Sequence, residues 1–263
     1  MKHPFLILTV LIAFAYHTTL MAAEAEKPLQ VFIFAGQSNM VGQEPLWTLP
    51  RDLWGEQKKA WFFEDTEWRP LSPGLIQRKT FGPEISFAQK LSTDLDENIG
   101  IIKHALNGTN LDQQWSPTDP HSLYAQLLAK VKAAQKTKNI RIVGMLWMQG
   151  ETDAGDHDMA ARYSKNLSNF IRAARSDFQN PEMIFIAGRI NPDKTRFPFV
   201  DVVREAQMTC NEPHYAFVDC DHLPKGGDNL HYNANGLVEL GNTFADRMRT
   251  LMKKEPKPIS TNP

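Results

Sequence analysis

Two short segments near opposite ends of the chain contain the residue types that nucleophilic catalysis requires. The first is GQSNM at residues 36–40, which places Ser38 directly after an apolar run. A serine hydroxyl is a weak nucleophile at neutral pH and needs a base within hydrogen-bonding reach. The second segment supplies one in His231, since an imidazole with its ordinary pKa of about 6.5 takes up and returns a proton. Asp228, three residues earlier, is spaced to orient that imidazole.

Each of these residues also has a purely structural interpretation. Ser38 is suited to cap the start of a helix, a role worth about 1 kcal/mol of helix stability. His231 would then be a surface residue that caps the next helix, and Asp228 a residue of the turn before it. The chain order Ser–Asp–His, together with the two glycines at 226–227, favours the catalytic interpretation.

Two further blocks, NGT at 107–109 and QGETD at 149–153, carry groups suited to hold the oxyanion of a tetrahedral intermediate. The candidate donors are the backbone N–H groups of Ser38 and Gly108 and the side-chain amide of Gln149. Removing one such donor typically costs about 3 kcal/mol of barrier lowering. The alternatives are that Gly108 serves a tight turn and that Gln149 caps a helix.

Candidate substrate-binding residues lie beside these blocks. Glu151 follows Gln149 and, like Asp153, is placed either to orient Gln149, to meet substrate hydroxyls or to start the following helix. The full set of candidates is Gln37, Glu151, Arg78 and Phe81.

Apolar runs predict the strands that position these blocks, because such runs stopped by turn residues are typical of buried strands. The segments between them carry apolar residues at helical spacing, as in Phe87, Leu91 and Leu95. Strands that alternate with helices predict the α/β class, a three-layer α/β/α sandwich with a parallel sheet. The blocks would then meet at the carboxyl edge of the sheet, where such folds bind ligands. The predicted strands are residues 31–35, 99–102, 140–148, 183–187 and 215–219.

The ends of the chain have their own composition. Residues 1–23 resemble a secretory signal, with Lys2 before an apolar stretch and small residues that permit cleavage after Ala23 or Ala25. This stretch is too short to span a membrane, so we expect a secreted or periplasmic protein with no stable membrane insertion. The proline- and lysine-containing residues 254–263 are expected to form a flexible tail.

Charge and cysteine content exclude some functions. The net charge is −1 without a large basic cluster, which argues against nucleic acid as a partner. Cys210 and Cys220 are the only cysteines, and the sequence leaves open whether they form a disulfide. Neither acidic cluster with a histidine, at 156–158 or at 219–222, has the spacing of a known metal motif. We therefore expect no metal and no cofactor.

With these four blocks, the chain resembles the SGNH (GDSL-type) hydrolase superfamily, and within it the sialate O-acetylesterase and acetylxylan esterase branch. The matching segments are GQSNM, NGT, WMQGETD and DNLHYNANG, the last at residues 228–236. The resemblance implies that residues 27–253 form one esterase domain with a five-stranded, flavodoxin-like sheet. It also implies an acetylated carbohydrate substrate and no cofactor. Met148 departs from the His or Trp that family members carry before the QGE block.

Carried over by position, the resemblance assigns Ser38 as the nucleophile and Asp228 and His231 as the rest of the triad. Gly108 and Gln149 would complete the oxyanion hole with the Ser38 N–H. Two alternatives remain on the same fold. One is a lipid or thioester hydrolase, and the other is a carbohydrate-binding relative without catalysis.

Residues 43–81 hold four of the tryptophans, spaced seven apart, but lack the intervening apolar positions of a coiled coil. We predict instead a small hairpin formed by residues 61–63 and 68–71. The aromatic rings would either wall the active site and face a sugar ring or anchor this excursion to the core. Anchoring is the favoured interpretation for most of them.

Overall fold

The structure, a computed structural model, describes residues 27–75 and 79–254. The predicted signal segment at 1–23, Arg78 and residues 255–263 of the predicted tail lie outside the described residues. Nine strands are described, and they are β1 Leu29–Gly36, β2 Glu44–Pro45, β3 Gln57–Glu64, β4 Glu67–Leu71, β5 Thr80–Phe81, β6 Ile99–Ala105, β7 Ile140–Met148, β8 Ile184–Arg189 and β9 Tyr215–Asp219.

Seven of these strands form one sheet in the order β4-β3-β6-β1-β7-β8-β9. The five strands from β6 to β9 are parallel and follow the flavodoxin-like order. All five predicted strands are therefore confirmed, with β6 extending three residues beyond its predicted end. The branched and aromatic residues of β1 are fully buried, as expected for a central strand covered on both faces.

The sheet has two strands more than the resemblance implied. β3 runs parallel to β6, and β4 pairs with β3 in the antiparallel direction. Together they form the hairpin predicted for residues 61–63 and 68–71, which lies against β6 instead of standing apart. Ala60 and Phe62 of β3 are buried there, so the hairpin covers an edge of β6 that would otherwise be exposed. The number of strands was therefore underestimated, whereas the fold class is confirmed.

Helices cover both faces of the sheet and complete the three layers. α2 and α7 pack together on one face, and α3, α5 and α6 cover the other. Tyr124 of α3 donates a hydrogen bond to Asp177 of α5 at 2.6 Å, which links two helices of the second face. Among the described residues, no helix is long and apolar enough to cross a membrane. The helices are α1 Ser38–Val41, α2 Glu84–Leu95, α3 Leu123–Thr137, α4 Glu151–Ala154, α5 His157–Asp177, α6 Val200–Thr209 and α7 Ala234–Lys254.

The tryptophans between β1 and α2 differ in environment. Trp68 packs against the core from the hairpin, and Lys138 lies over the ring of Trp61 at 5.7 Å. Trp54 donates to the Leu49 carbonyl at 2.9 Å and remains 41% exposed. Trp47 is 76% exposed, so anchoring explains most of these rings but not this one.

Both cysteines are free in the structure. Cys220 follows β9 and is buried, and Cys210 follows α6 and is half-buried. Burial raises the pKa of the Cys220 thiol to about 12, so it stays protonated and unreactive near neutral pH. Neither thiol therefore competes with Ser38 as a nucleophile.

Candidate active site

Ser38 is the first residue of α1 and lies just beyond the carboxyl end of β1. Gln37 occupies the N-cap position, and no side chain caps this helix. The interpretation of Ser38 as a capping serine is therefore wrong. The first N–H groups of a helix have no acceptor inside it, so the turn at Ser38 is suited to hold negative charge.

Asp228 and His231 form a hydrogen-bonded pair on the loop after β9. Nδ1 of His231 lies 2.5 Å from one oxygen of Asp228, and the other oxygen accepts the backbone N–H groups of Leu230 and His231, each at 3.0 Å. Burial raises the pKa of Asp228, but these hydrogen bonds outweigh it and lower the pKa to about 2. Asp228 is therefore ionised at neutral pH and fixes the orientation of the ring.

His231 does not cap the helix that follows its loop. Asn233 caps that helix instead, because its side chain accepts the N–H of Gly236 at 3.1 Å. The structural alternative for His231 is therefore wrong, whereas Asp228 is a turn residue and the partner of the imidazole at once.

Asn39 ties the Ser38 turn to the His231 loop. Its side-chain oxygen accepts the N–H of Tyr232 at 2.9 Å, and its nitrogen donates to the carbonyl of Leu230 at 3.3 Å. These two peptide groups flank His231 on either side. The structure thus brings the residue after Ser38 into direct contact with the backbone around the candidate base.

The QGETD block holds the loop that contains Gly108. Asp153 accepts the N–H of Leu111 at 3.0 Å and that of Asp112 at 3.3 Å, and Gln149 donates to the carbonyl of Thr109 at 2.9 Å. Gly108 itself has a φ of +66°, a conformation that favours glycine. The block after β7 therefore restrains the loop that carries Gly108, which follows β6 on the other side of β1.

Gln149 is fully buried, and its amide nitrogen also donates to Asp153 at 2.5 Å. Of the roles left open for Asp153, the structure shows the contact with Gln149, and helix capping by Gln149 is wrong because no side chain caps α4. Both hydrogens of this amide meet acceptors within the protein, while its oxygen has no partner among the described residues. In this arrangement Gln149 holds the loop, and serving an oxyanion would require it to give up one of these bonds.

The same short block also contacts the other side of the site. Glu151 accepts the side-chain N–H of Gln37 at 2.5 Å, and Thr152 donates to the Gln37 oxygen at 3.2 Å. Gln37 and Glu151 are 3% and 2% exposed. Their polar groups are engaged inside the protein and do not face open solvent.

The remaining candidates for substrate binding are placed differently. Phe81 is 3% exposed and packs into the core, so it offers a substrate little surface. Arg78 lies outside the described residues. Arg189, at the end of β8, pairs with Asp219 at 2.7 Å and with Asp221 at 2.6 Å. Its charge is therefore already balanced.

The acidic clusters considered for a metal have other partners. Asp221 also accepts a two-point contact from Arg204, and Asp156 caps α5 by accepting the N–H groups of Asp158 and Met159. Among the described residues, no group of three His, Cys, Asp or Glu side chains is arranged to hold a metal ion.

Sequence reasoning missed Asn39 and Thr152 as parts of the site. Asn39 is 2% exposed, and a buried asparagine beside a candidate nucleophile requires hydrogen-bond partners. This requirement could have pointed to Asn39. Its partners on the His231 loop, however, lie nearly two hundred positions away and form no recognisable sequence pattern.

Comparison with known proteins agrees with this geometry. The profile of the family described as carbohydrate esterase, sialic acid-specific acetylesterase, matches residues 28–250. A probable carbohydrate esterase of Arabidopsis thaliana is 28% identical over 239 residues, which cover 83% of this chain and 89% of the relative.

Solved structures show the same fold. A crystal structure of an Arabidopsis thaliana protein has 26% identity and a TM-score of 0.76, covering 85% of this chain and 99% of that one. NanS has 17% identity and a TM-score of 0.69 over 87% and 98% of the two chains. A carbohydrate acetylesterase from Xanthomonas citri has 19% identity and a TM-score of 0.68 over 86% and 57%. Because the family profile spans nearly the whole described chain, this protein belongs to the sialic acid-specific acetylesterase family of carbohydrate esterases.

Proposed function

We propose that this esterase is exported and removes O-acetyl groups from a carbohydrate through an acyl-enzyme on Ser38. The observation that carries the proposal is the ionised Asp228 bound to Nδ1 of His231, on a loop that Asn39 attaches to the Ser38 turn. This arrangement leaves the other ring nitrogen of His231 to act as the base. Membership of the family and the carbohydrate esterase of Arabidopsis thaliana support an acetylated sugar as the substrate.

The reaction proceeds in two steps. Oγ of Ser38 attacks the acetyl carbonyl carbon while Nε2 of His231 takes the hydroxyl proton, and His231 then delivers that proton to the departing sugar oxygen. In the second step water attacks the acetyl–Ser38 ester and gives its proton to His231. Acetate leaves, and the same proton returns to Ser38.

The oxyanion in both steps is assigned to the N–H groups of Ser38 and Gly108, with Gln149 as the third candidate donor. Gln149 contributes directly only if one amide hydrogen turns away from Thr109 or Asp153. Its contacts in the structure support a role in placing Gly108 in addition to any direct donation.

The test is acetate release from a panel of acetylated glycans, compared with p-nitrophenyl acetate and an octanoate ester. Ser38→Ala is expected to lower turnover by at least about a thousandfold. Ser176→Ala, at an exposed position of α5, is the matched control and should behave as wild type. Fast release from one glycan identifies the substrate class, whereas preference for octanoate would indicate a lipase-like enzyme. Near-normal turnover by Ser38→Ala would contradict the proposal.

Export has a separate test. N-terminal sequencing of protein recovered outside the cytoplasm is expected to start at Glu24 or Glu26, following cleavage after Ala23 or Ala25. An intact Met1 on the mature protein would contradict export by a cleaved signal.

A further inference from the structure

Glu151 lies behind the candidate nucleophile, and its carboxylate contacts both neighbours of Ser38 in the chain. One oxygen accepts the side-chain N–H of Gln37 at 2.5 Å, and the other accepts that of Asn39 at 3.3 Å. Because residues 37 and 39 flank Ser38, a single carboxylate restrains the turn from both sides. Glu151 is 2% exposed, so this contact is shielded from competing water.

The restraint extends from Ser38 to the candidate base. The nitrogen of Asn39 that donates to Glu151 also donates to the Leu230 carbonyl at 3.3 Å, and the oxygen of the same amide accepts the Tyr232 N–H at 2.9 Å. Glu151 therefore determines the orientation of the amide that holds the peptide groups on both sides of His231.

We infer that Glu151 is a positioning residue, which aligns Ser38 with His231 through Gln37 and Asn39. This inference rests on the proposed serine mechanism. Substrate contact is not its role, because the carboxylate is buried and both of its oxygens are engaged.

The test uses Glu151→Gln in the full chain. Glutamine has the same shape but turns an N–H₂ group toward one of the two donors, and it removes the charge. We expect kcat for p-nitrophenyl acetate to fall by about a hundredfold with little change in KM, as for a small misplacement of reacting groups.

Two further variants separate positioning from folding. Glu151→Asp keeps two carboxylate oxygens as acceptors and should therefore retain more of the wild-type kcat than Glu151→Gln. Gln37→Met removes one donor without altering Glu151 and should lower kcat by about tenfold. Asp158→Asn, an exposed carboxylate at the start of α5, is the control and should match wild type.

Labelling of Ser38 by a fluorophosphonate probe distinguishes this inference from the proposed function. If wild type is not labelled, the serine mechanism itself fails. If wild type and Glu151→Gln are labelled at the same rate, or if activity falls together with a lowered Tm, Glu151 is not a positioning residue. Slower labelling of a variant whose Tm matches wild type supports the inference.

Discussion

Gly36 lies so close to Met148 that no residue with a side chain fits at position 36 without a shift of the backbone. A Cβ atom on Gly36 would lie 2.1 Å from the carbonyl oxygen of Met148, and Gly36 has a φ of +143°. The N–H of Gln37 donates to the same carbonyl at 2.9 Å. The close approach of β1 to β7 therefore fixes the turn that presents Ser38.

Gly36→Ala is expected to lower the free energy of unfolding by at least about 2 kcal/mol and to lower activity, because β1 and β7 must separate at this point. Urea denaturation measures the first effect. Gly55→Ala is the matched control, since Gly55 also has a positive φ, of +96°, but a Cβ there would meet nothing within 4 Å. Equal losses in the two variants would mean that the contact with Met148 is unimportant.

Asp228→Asn is expected to lower kcat/KM by about three to four orders of magnitude, because asparagine favours the wrong tautomer of His231. Since the pKa of Asp228 is about 2, its own titration does not affect activity between pH 4 and 8. The fall of wild-type activity toward acid pH should therefore follow protonation of His231 and not that of Asp228. A rate profile that is flat from pH 5 to 8 would contradict this assignment. Asp246→Asn, an exposed carboxylate on α7, is the control.

Asp153 makes stability depend on pH. Burial raises its pKa to about 6, although the hydrogen bonds from Gln149 and from backbone N–H groups oppose the shift. The folded state holds this proton more tightly than the unfolded state. The resulting stabilisation is complete below the ordinary value of 3.8 and is lost as pH rises through about 6.

The contribution of Asp153 to the unfolding free energy is expected to fall by about 2–3 kcal/mol between pH 4 and pH 7.5. It is measured as the difference in unfolding free energy between wild type and Asp153→Asn at several pH values. The unfolding free energy of wild type minus that of Asp153→Asn should be larger at pH 4.5 than at pH 7.5. A difference that stays constant with pH would show that Asp153 does not titrate in this range.

A buried ion pair supports the far end of α1. Nζ of Lys103 donates to Glu84 at 2.6 Å and to the carbonyl of Val41 at 2.8 Å, and both charged side chains are at most 4% exposed. Lys103→Met leaves the Glu84 carboxylate buried without a partner and is expected to cost about 3–5 kcal/mol of unfolding free energy. The double variant with Glu84→Leu should recover much of this loss.

Urea denaturation again provides the measurement. Lys90→Met is the control, because Lys90 forms only partly exposed pairs with Asp94 and Asp246 and should change stability by about 0.5 kcal/mol or less. If the double variant is no more stable than Lys103→Met, the cost does not come from an unpaired Glu84.

Much of the fold could be predicted from local patterns. The apolar runs identify all five strands of the flavodoxin-like core, because each run ends at turn residues, although β9 at the sheet edge is buried only at alternate residues. The hairpin of Trp61 and Trp68 was also recognisable. Its pairing with β6 was not, because register between segments distant in the chain leaves no periodic signal.

The site, like the fold, combines contacts that follow from local sequence with contacts that do not. Asp228 and His231 are three residues apart, so their contact follows from local geometry. The contact of Asn39 with the His231 loop joins residues almost two hundred positions apart, and only the folded chain reveals it. Gln149 was read as a donor to the substrate, whereas its partners within the protein depend on a loop whose path the sequence does not specify.

The sheet ends on one side at β4, where unpaired backbone groups would allow another chain to add a strand. Glu67 and Arg69 of this strand are exposed, and Pro70 has no N–H to offer. Charge and proline at this position are the features that discourage edge-to-edge aggregation. The hairpin that widens the sheet thus also hinders the addition of a further strand on the β4 side.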